Sequence, residues 1–479
     1  MSGLLGLALA VGSGGNVVVH GVEGDGSGAL GGDRVSAGLL DLEDGEGTGA
    51  LGGGLGQRIA EPPVAGDGNA PEVLSVRETG ESGESGEVTG LGDEGGSLPV
   101  GEGGADPGGL IHPLGYEEDA AAEEHALGRH GTFRFSLDLA ATYDSNIFIA
   151  PREEVADFIF VIQPGVEIGL GDAWEKRDSY LYLNYNPAAA FFAETSSENA
   201  VDQDLTVEVA HRGGRLGATG TARFQKLHGT VADIGSRADR LVYQAAAKFS
   251  YGWGGRTSVE TGFYYEKTDY DDDFIDSVEY RNETFLAYDL SGKTTLGLGG
   301  AVGALDSDGS GTQQFVQALV RARTELTGKL SLAARGGVDF RDRDTGRDVT
   351  PVFGLGAGYQ PADGTVITVD ADRSVRASAA QPGEDYVRTA ASVGVSQRVA
   401  TRFNVGIAGG VENLDYRAVS EGVSGDREDT GYFLRPNIAY DFRENVRGEL
   451  FFLYRENDSS AADNSYTSNQ LGVSLGADF

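Results

Sequence analysis

The stretch Leu241–Trp253 (LVYQAAAKFSYGW) decides the fold, because apolar or aromatic side chains occupy every odd-numbered position in it. The positions between them are mostly small or polar. Successive side chains of a β-strand point to opposite faces of a sheet, so this period of two predicts a strand with one apolar face. The stretch is also longer than the roughly 9–11 residues with which a tilted strand crosses a lipid bilayer.

The same alternation begins at Thr132 and continues to the last residue, and we predict about eighteen strands from it. The clearest further examples are 133–140, 258–265, 330–341, 403–408 and 470–479. In each, one face is apolar and the other is small, polar or charged. This pattern is typical of a strand with lipid on one side and water on the other.

The connections between the predicted strands are of two kinds, which alternate along the chain. Short turns are expected at 212–215, 252–256, 290–293, 326–329, 360–364, 399–402 and 442–446, with a longer one at 171–178. Longer acidic loops are expected at 144–156, 193–202, 226–239, 267–277, 304–314, 341–351, 372–385, 413–430 and 456–465. An up-and-down barrel has tight turns at one rim and long loops at the other, whereas a soluble β-sandwich has no reason for such alternation.

Charge and glycine divide the chain of 479 residues at about residue 130. Residues 1–130 contain 35 Gly, 23 acidic and 4 basic residues, and Tyr116 is their single aromatic residue. Such a composition cannot bury enough apolar surface to offset the entropy of ordering, so residues 26–130 are expected to be disordered. Residues 131–479 are expected to form the barrel. The net charge of −37 divides almost equally between the two parts.

The same counts exclude several classes of protein and site. A strongly acidic chain without a basic block is not suited to neutralising nucleic-acid phosphates. The absence of cysteine excludes disulfides, iron–sulfur clusters and thiolate zinc sites. No run of roughly 18 apolar residues predicts a transmembrane helix.

Residues 1–25 include the apolar stretch Leu4–Val11 (LLGLALAV), which resembles the core of a signal peptide. The basic residues that normally precede such a core are missing. Two interpretations stay open for the start of the chain: an export signal, or a mis-assigned start with residues 1 to about 110 partly or wholly non-native.

The last strand ends on Phe479, at an outward position, and this ending resembles the signal that the outer-membrane barrel assembly machinery reads. The succession Leu137–Phe148 (LDLAATYDSNIF), Phe158–Val166 (FIFVIQPGV) and Tyr180–Tyr185 (YLYLNY) resembles the opening of a family of outer-membrane β-barrel porins. Some members of that family are found in exopolysaccharide-biosynthesis operons. The resemblance covers about 131–479 and implies an outer-membrane location, a barrel fold and partners among lipid, lipopolysaccharide and polysaccharide or small polar solutes.

Catalysis is not predicted. Only His211 and His228 lie in the barrel region, one at a predicted turn and the other in a predicted loop, and neither shares a strand face with a serine and an orienting acid. Clusters of metal-ligating side chains and phosphate-binding glycine loops are also missing from the sequence. We therefore expect neither an enzyme nor a cofactor.

Charged residues at inward positions are the candidate lining of a lumen. They are Arg321, Arg335, Arg388, Arg435, Arg447, Glu260 and Asp339. Arginines on the inner wall of a pore attract anions and set selectivity, whereas a ladder of arginine–carboxylate pairs would only stiffen the wall. The interspersed carboxylates favour the ladder, and the selectivity hypothesis stays open beside it.

Two further groups have alternative interpretations. Asp269, Asp271, Asp272 and Asp273 could bind Ca²⁺ or Mg²⁺ in an external loop that bridges to lipopolysaccharide, or could form a solvated, self-repelling loop. Aromatic residues near strand ends are expected to form a girdle at the membrane interface, although Tyr182 and Tyr264 could instead point inward and stack on a sugar.

The sequence thus predicts an outer-membrane barrel for passive passage of small polar solutes or a part in polysaccharide export. The alternative is a non-conducting structural or adhesion barrel that acts through its acidic loops. The two differ in whether the lumen is open.

Overall fold

In a computed structural model, the described residues are 125–126, 131–171, 173, 179–271, 274–423 and 425–479. The predicted signal segment 1–25 and nearly all of the low-complexity segment 26–130 lie outside them. Within these ranges, no helix is long and apolar enough to cross a membrane.

The described chain is a single sheet of antiparallel strands. The strands are β1 Gly131–Asp144, β2 Asp157–Gly171, β3 Tyr180–Tyr185 with Ala188–Phe192, β4 Ala200–Gly213, β5 Leu216–Val231, β6 Ser236–Gly252, β7 Thr257–Tyr270, β8 Ser277–Ser291, β9 Thr294–Ser307, β10 Gly311–Thr327, β11 Leu330–Arg343, β12 Gly346–Tyr359, β13 Thr365–Ala377, β14 Glu384–Ala400, β15 Phe403–Ala418, β16 Glu428–Arg443, β17 Val446–Ser459 and β18 Tyr466–Asp478. The two halves of β3 count as one strand because both pair with β2 and β4. A two-residue segment, His125–Ala126, pairs with β1.

The sheet closes on itself, because β18 pairs with β1 from Ser136↔Asp478 to Asp144↔Gln470. The terminal residue completes this seam. Phe135 and Phe479 exchange backbone N–H···O bonds of 3.1 and 2.7 Å, and their ring centroids lie 6.1 Å apart. The prediction of an antiparallel up-and-down barrel of about eighteen strands is therefore confirmed.

The outer surface is apolar, as the alternation predicts. Large side chains such as Phe158, Phe263, Leu298 and Val320 are exposed on it, and Trp253 is 71% exposed. A closed barrel pairs every neighbouring strand, so no sheet edge faces lipid, and an apolar exterior over a charged interior suits a bilayer. This is the architecture of a bacterial outer-membrane barrel.

One rim, named here the turn rim, carries the short connections and also apolar anchors. Four of its hairpins contain a bulge, and the residue that each bulge leaves unpaired is apolar and more than half exposed. These residues are Leu290, Leu326, Val399 and Phe442. Lys293, Lys329 and Arg402 follow three of them at a spacing of three residues. Apolar side chains beside cations suit the boundary between lipid tails and headgroups.

The opposite rim, named the loop rim, differs from the prediction. Its connections are long at 145–156 and 419–427, but only 308–310 separates β9 from β10, and only Asp344 and Thr345 separate β11 from β12. The predicted loops 226–239, 304–314 and 341–351 are therefore mostly strand. The reason is physical: antiparallel pairing satisfies backbone groups on both sides of the membrane surface, so polar alternating segments continue the sheet beyond the lipid.

Candidate functional site

The seven predicted lumen residues all lie on strands, at positions of inward parity. Five of them, Arg321, Arg388, Arg435, Glu260 and Asp339, have side chains less than a quarter exposed, and Arg335 and Arg447 are slightly more open. All seven side chains are within 4.0 Å of an oppositely charged group. Their functional role in a passage stays a prediction.

Two of these arginines pair with neighbouring strands. Arg388 of β14 is 1% exposed; its Nε donates to Glu412 of β15 at 2.6 Å, and its Nη1 donates to Asp372 of β13 at 2.8 Å. Arg435 of β16 donates to Glu449 of β17 at 2.6 Å. Buried guanidinium groups are tolerated only when they are compensated in this way.

Two more arginines reach carboxylates three strands away. Arg321 of β10 contacts Glu260 of β7, and Arg335 of β11 lies 3.1 Å from Glu283 of β8. Such pairs link parts of the wall that do not share backbone hydrogen bonds. They show that the inner wall is tightly curved between β7 and β11.

Asp339 and Arg447 make weaker contacts. Asp339 accepts a hydrogen bond from Gln317 at 2.8 Å and lies 3.5 Å from Arg341. Arg447, near the turn rim, lies 3.9 Å from Asp441. The inner wall therefore carries both signs of charge from one rim to the other.

Sequence reasoning missed a repeated packing unit on this wall. Four inward phenylalanines lie opposite inward glycines in the strand register: Phe285 with Gly299, Phe315 with Gly303, Phe433 with Gly410, and Phe451 with Gly472. A Cβ added at any of these glycines would meet the ring within 2.6 Å, so only glycine leaves room for it. The sequence shows the inward glycines. It does not show which phenylalanines of neighbouring strands fill the space beside them, and that pairing was therefore not predicted.

Arginines cover three of these rings. Arg321 lies over Phe285 at 4.1 Å, Arg341 over Phe315 at 4.6 Å and Arg435 over Phe451 at 4.7 Å. These distances permit cation–π attraction. Around Phe285, the residues Ala301, Leu319 and Val352 form a small apolar cluster inside the barrel.

Contacts across the lumen show that the barrel is not circular. Eighteen strands spaced about 4.8 Å apart and tilted by roughly 40° would form a circle of about 18 Å radius. Strands six apart would then lie beyond the reach of two side chains. Yet Arg376 of β13 is 4.0 Å from Glu266 of β7. These two walls therefore approach each other. Among the described residues, cavities of ≈ 60 and ≈ 100 Å³ lie between them, each with room for a few water molecules.

The tip of the β5–β6 hairpin, residues 232–235, reaches across the mouth at the loop rim. This hairpin tip lies against loops from the opposite side of the barrel. The Asp233 carboxylate accepts hydrogen bonds from Ser378 Oγ at 3.0 Å and from the Ala379 amide at 2.5 Å. Arg427 donates to the Asp233 carbonyl at 2.6 Å and to the Ala232 carbonyl at 3.3 Å. No sequence pattern pointed to these contacts, because they join short polar loops that lie far apart in the chain.

Asp233 is only 5% exposed although it lies in a rim loop. Burial raises the pKa of Asp233 above its usual range, against the opposing effects of Arg427 and of the hydrogen bonds from Ala379 and Ser378. Arg427 is fixed in turn by Asp429 and by the ring of Tyr416, 4.4 Å from its guanidinium carbon. The hairpin tip is thus held by a buried network of charges.

The predicted cation-binding loop is only partly described, because Asp272 and Asp273 lie outside the described residues. Asp269 lies on β7 and pairs with Lys267 at 2.7 Å, and Asp271 begins the connection to β8. Burial raises the pKa of Asp276, to which the Tyr270 amide donates at 2.8 Å. In the described part of the chain, no group of three or more His, Asp or Glu side chains is placed to hold a metal ion.

The two barrel histidines lie on strands, which corrects their predicted positions at a turn and in a loop. His228 of β5 is 2.7 Å from Asp202. His211 of β4 is 2.7 Å from Ser179 Oγ through its Nδ1, a serine–histidine contact that was not predicted. Hydrolases need a third group that orients the histidine, and among the described residues none with a carboxylate or amide side chain contacts His211.

The predicted aromatic girdle is divided between the two faces. Tyr251, Trp253 and Tyr432 are exposed on the outer face. Tyr264 is on the inner wall, where its ring lies 4.9 Å from Arg281, and Tyr182 has the inward parity of the buried Tyr180. The face of Tyr264 is therefore occupied by a guanidinium.

No family model and no curated protein matches the chain. Solved structures with similar topology include OpdK of Pseudomonas aeruginosa with vanillate, at 10% identity over 72% of this chain and 99% of that one, with a TM-score of 0.40. OccAB3 of Acinetobacter baumannii has 11% identity over 73% and 99%, with a TM-score of 0.39. The siderophore receptor PirA of P. aeruginosa has 11% identity over 72% and 80%, with a TM-score of 0.37. Identity at this level carries over neither a substrate nor a residue role.

Proposed function

We propose that the protein is a passive, porin-like conduit for small polar solutes. The observation that carries this proposal is the inner wall, which is charged from the turn rim, at Arg447, to the loop rim, at Asp429. A wall of this kind is expensive to bury in a dry interior and favourable beside water. Solutes would move down their gradients, with lumen width and lining charge as the sources of selectivity.

Arginine and carboxylate alternate on this wall, so we expect little preference between small anions and cations. Replacing Arg321, Arg335, Arg388 and Arg435 together by alanine removes four positive charges but leaves their carboxylate partners. Anion-over-cation permeability in planar bilayers should then fall. Unchanged permeability ratios in a folded variant would contradict a role of these arginines in passage.

A narrower proposal is participation in polysaccharide export, which the family resemblance implies. Inward aromatic rings are the surfaces on which sugars stack. Tyr182 is the candidate on the inner wall, where it lies partly buried beside Tyr180 and Ala210. If Tyr182 stacks on a sugar, Tyr182→Ala should weaken block of the conductance by added oligosaccharide, whereas Tyr182→Phe should preserve that block.

The second candidate is a non-conducting structural barrel. It is favoured by one observation, the pair Arg376–Glu266 that joins opposite walls, together with the small size of the cavities beside it. Recording of single barrels in a planar bilayer separates the two functions. Conductance steps under any condition support the conduit. If a barrel whose mouth is shown to be open does not conduct, the structural role is supported.

A further inference from the structure

We propose that the hairpin tip 232–235 is a latch that shuts the mouth at the loop rim, and that release of Asp233 opens it. This inference rests on the proposed function, since only a conduit needs a gate. The tip comes from between β5 and β6, whereas its partners come from the β13–β14 and β15–β16 loops. Those elements lie about half-way around the eighteen-strand barrel.

Two sets of hydrogen bonds hold the latch in place. One is the Asp233 carboxylate, held by Ser378 and by the Ala379 amide. The other is the backbone of the tip, where the Ala232 and Asp233 carbonyls accept from Arg427. The β13–β14 loop is itself fixed, because the Ile275 amide donates to the Ala379 carbonyl at 3.0 Å.

The tip is built so that it can move without unfolding the wall. It consists of four residues and carries Gly235 at a φ of +66°, close to the Asn464 side chain. The contacts that hold it are mainly polar rather than a packed apolar core. Charge-assisted hydrogen bonds of this kind are strong when dry and are replaced by water when exposed.

The cavity beneath the latch is the space that opening would connect to the outside. It measures ≈ 100 Å³ and is bounded by the latch residue Asp233 above and by Thr268 and Glu266 of the β7 wall. Thr268 is buried in the closed arrangement. A cysteine at this position would therefore report opening, and the chain has no native cysteine to interfere.

The first test measures opening without measuring transport. Thr268→Cys barrels, reconstituted in liposomes, are reacted with a membrane-impermeant maleimide. Adding Asp233→Ala should raise the labelling rate about tenfold, the effect expected from removing the hydrogen bonds that Asp233 accepts from Ser378 and Ala379. The matched control is Asp308→Ala, which removes an exposed carboxylate from another loop of the same rim. An unchanged rate in a folded Asp233→Ala barrel, judged by its heat-dependent gel mobility, overturns the latch.

The second test compares the oxidised and the reduced state of one double-cysteine variant. Asp233→Cys with Ser378→Cys places a cysteine pair where a side-chain contact of 3.0 Å exists. The oxidised barrel should be silent in a planar bilayer, and reductant should produce openings more frequent than in the wild type. Openings that do not depend on reductant contradict the latch but leave the conduit intact. Fast maleimide labelling of the Thr268→Cys variant, in a barrel that never conducts, confirms the latch movement and contradicts the conduit.

Discussion

Loss of Arg388 should destabilise the barrel strongly. It is enclosed between Asp372 and Glu412, so replacing it by methionine leaves two carboxylates facing each other without a cation. We expect the free energy of unfolding in denaturant to fall by about 3–5 kcal/mol. Arg347→Met is the control: this arginine is 68% exposed and pairs with a similarly exposed Asp342. Equal effects of the two substitutions would show that burial of Arg388 contributes nothing.

The glycine–phenylalanine units give a second prediction at the scale of single residues. In Gly299→Ala, the new Cβ would lie 2.2 Å from the Thr284 carbonyl oxygen and 2.6 Å from the Phe285 ring, so a strand must shift. We expect a loss of about 1–3 kcal/mol in the free energy of unfolding. A Cβ at Gly354, at an inward position of β12, meets no atom within 4 Å, so Gly354→Ala should be neutral. Equal stability of both variants would contradict the proposed packing.

At the scale of elements, the latch should respond to pH. Asp233 has a raised pKa in the closed mouth and an ordinary one, near 4, when the tip is exposed, so closing takes up protons above about pH 4. The closed state of the latch is therefore most stable in acid, and its stability falls as the pH rises through the raised pKa of Asp233. Maleimide labelling of the Thr268→Cys variant should be faster at pH 8 than at pH 5, after correction for the reactivity of the thiol.

Other groups face Asp233 and set the size of this pH effect. Glu384, Arg427 and Tyr416 act on it directly, and further charged groups line the same cavity: Arg240, Glu266, Glu279, Arg376 and Glu412. Asp233→Asn removes the titrating group while keeping a side chain that accepts hydrogen bonds. A pH dependence that persists unchanged in Asp233→Asn would assign the effect to one of these neighbours.

The C-terminal strand carries the prediction about assembly. Deleting Phe479 removes two backbone hydrogen bonds and an aromatic contact from the β1–β18 seam. If Phe479 is an assembly signal, its deletion should lower the amount of folded barrel in cells far more than the yield of refolding in detergent. Phe479→Tyr should behave as the wild type in both. Equal losses in cells and in detergent would indicate a purely structural role.

The strand period was readable in the sequence because lipid imposes it on every strand. The length of the rim loops was not, since polar alternating segments such as 341–351 pair as well outside the membrane as within it. Contacts such as Arg376–Glu266 and Asp233–Ser378 could not be predicted either. They depend on how far the closed sheet is flattened, and no local pattern records that distance.

At the scale of the whole molecule, a lipid-facing barrel encloses a wall of paired charges, and one hairpin tip reaches across its loop rim. The pairs explain why an interior rich in arginine can be narrow, and the flattened section explains why cavities of ≈ 60 and ≈ 100 Å³ remain. Opening must therefore begin at the mouth and widen the space between the β7 and β13 walls. Release of the latch should turn this polar interior into a water-filled path.

Single-barrel conductance of the Asp233→Ala variant in a planar bilayer tests this claim most directly. We expect discrete conductance steps, with openings about tenfold more frequent than in the wild-type barrel. Complete silence of the variant, when the same barrel carrying Thr268→Cys is labelled rapidly by the maleimide, would contradict it.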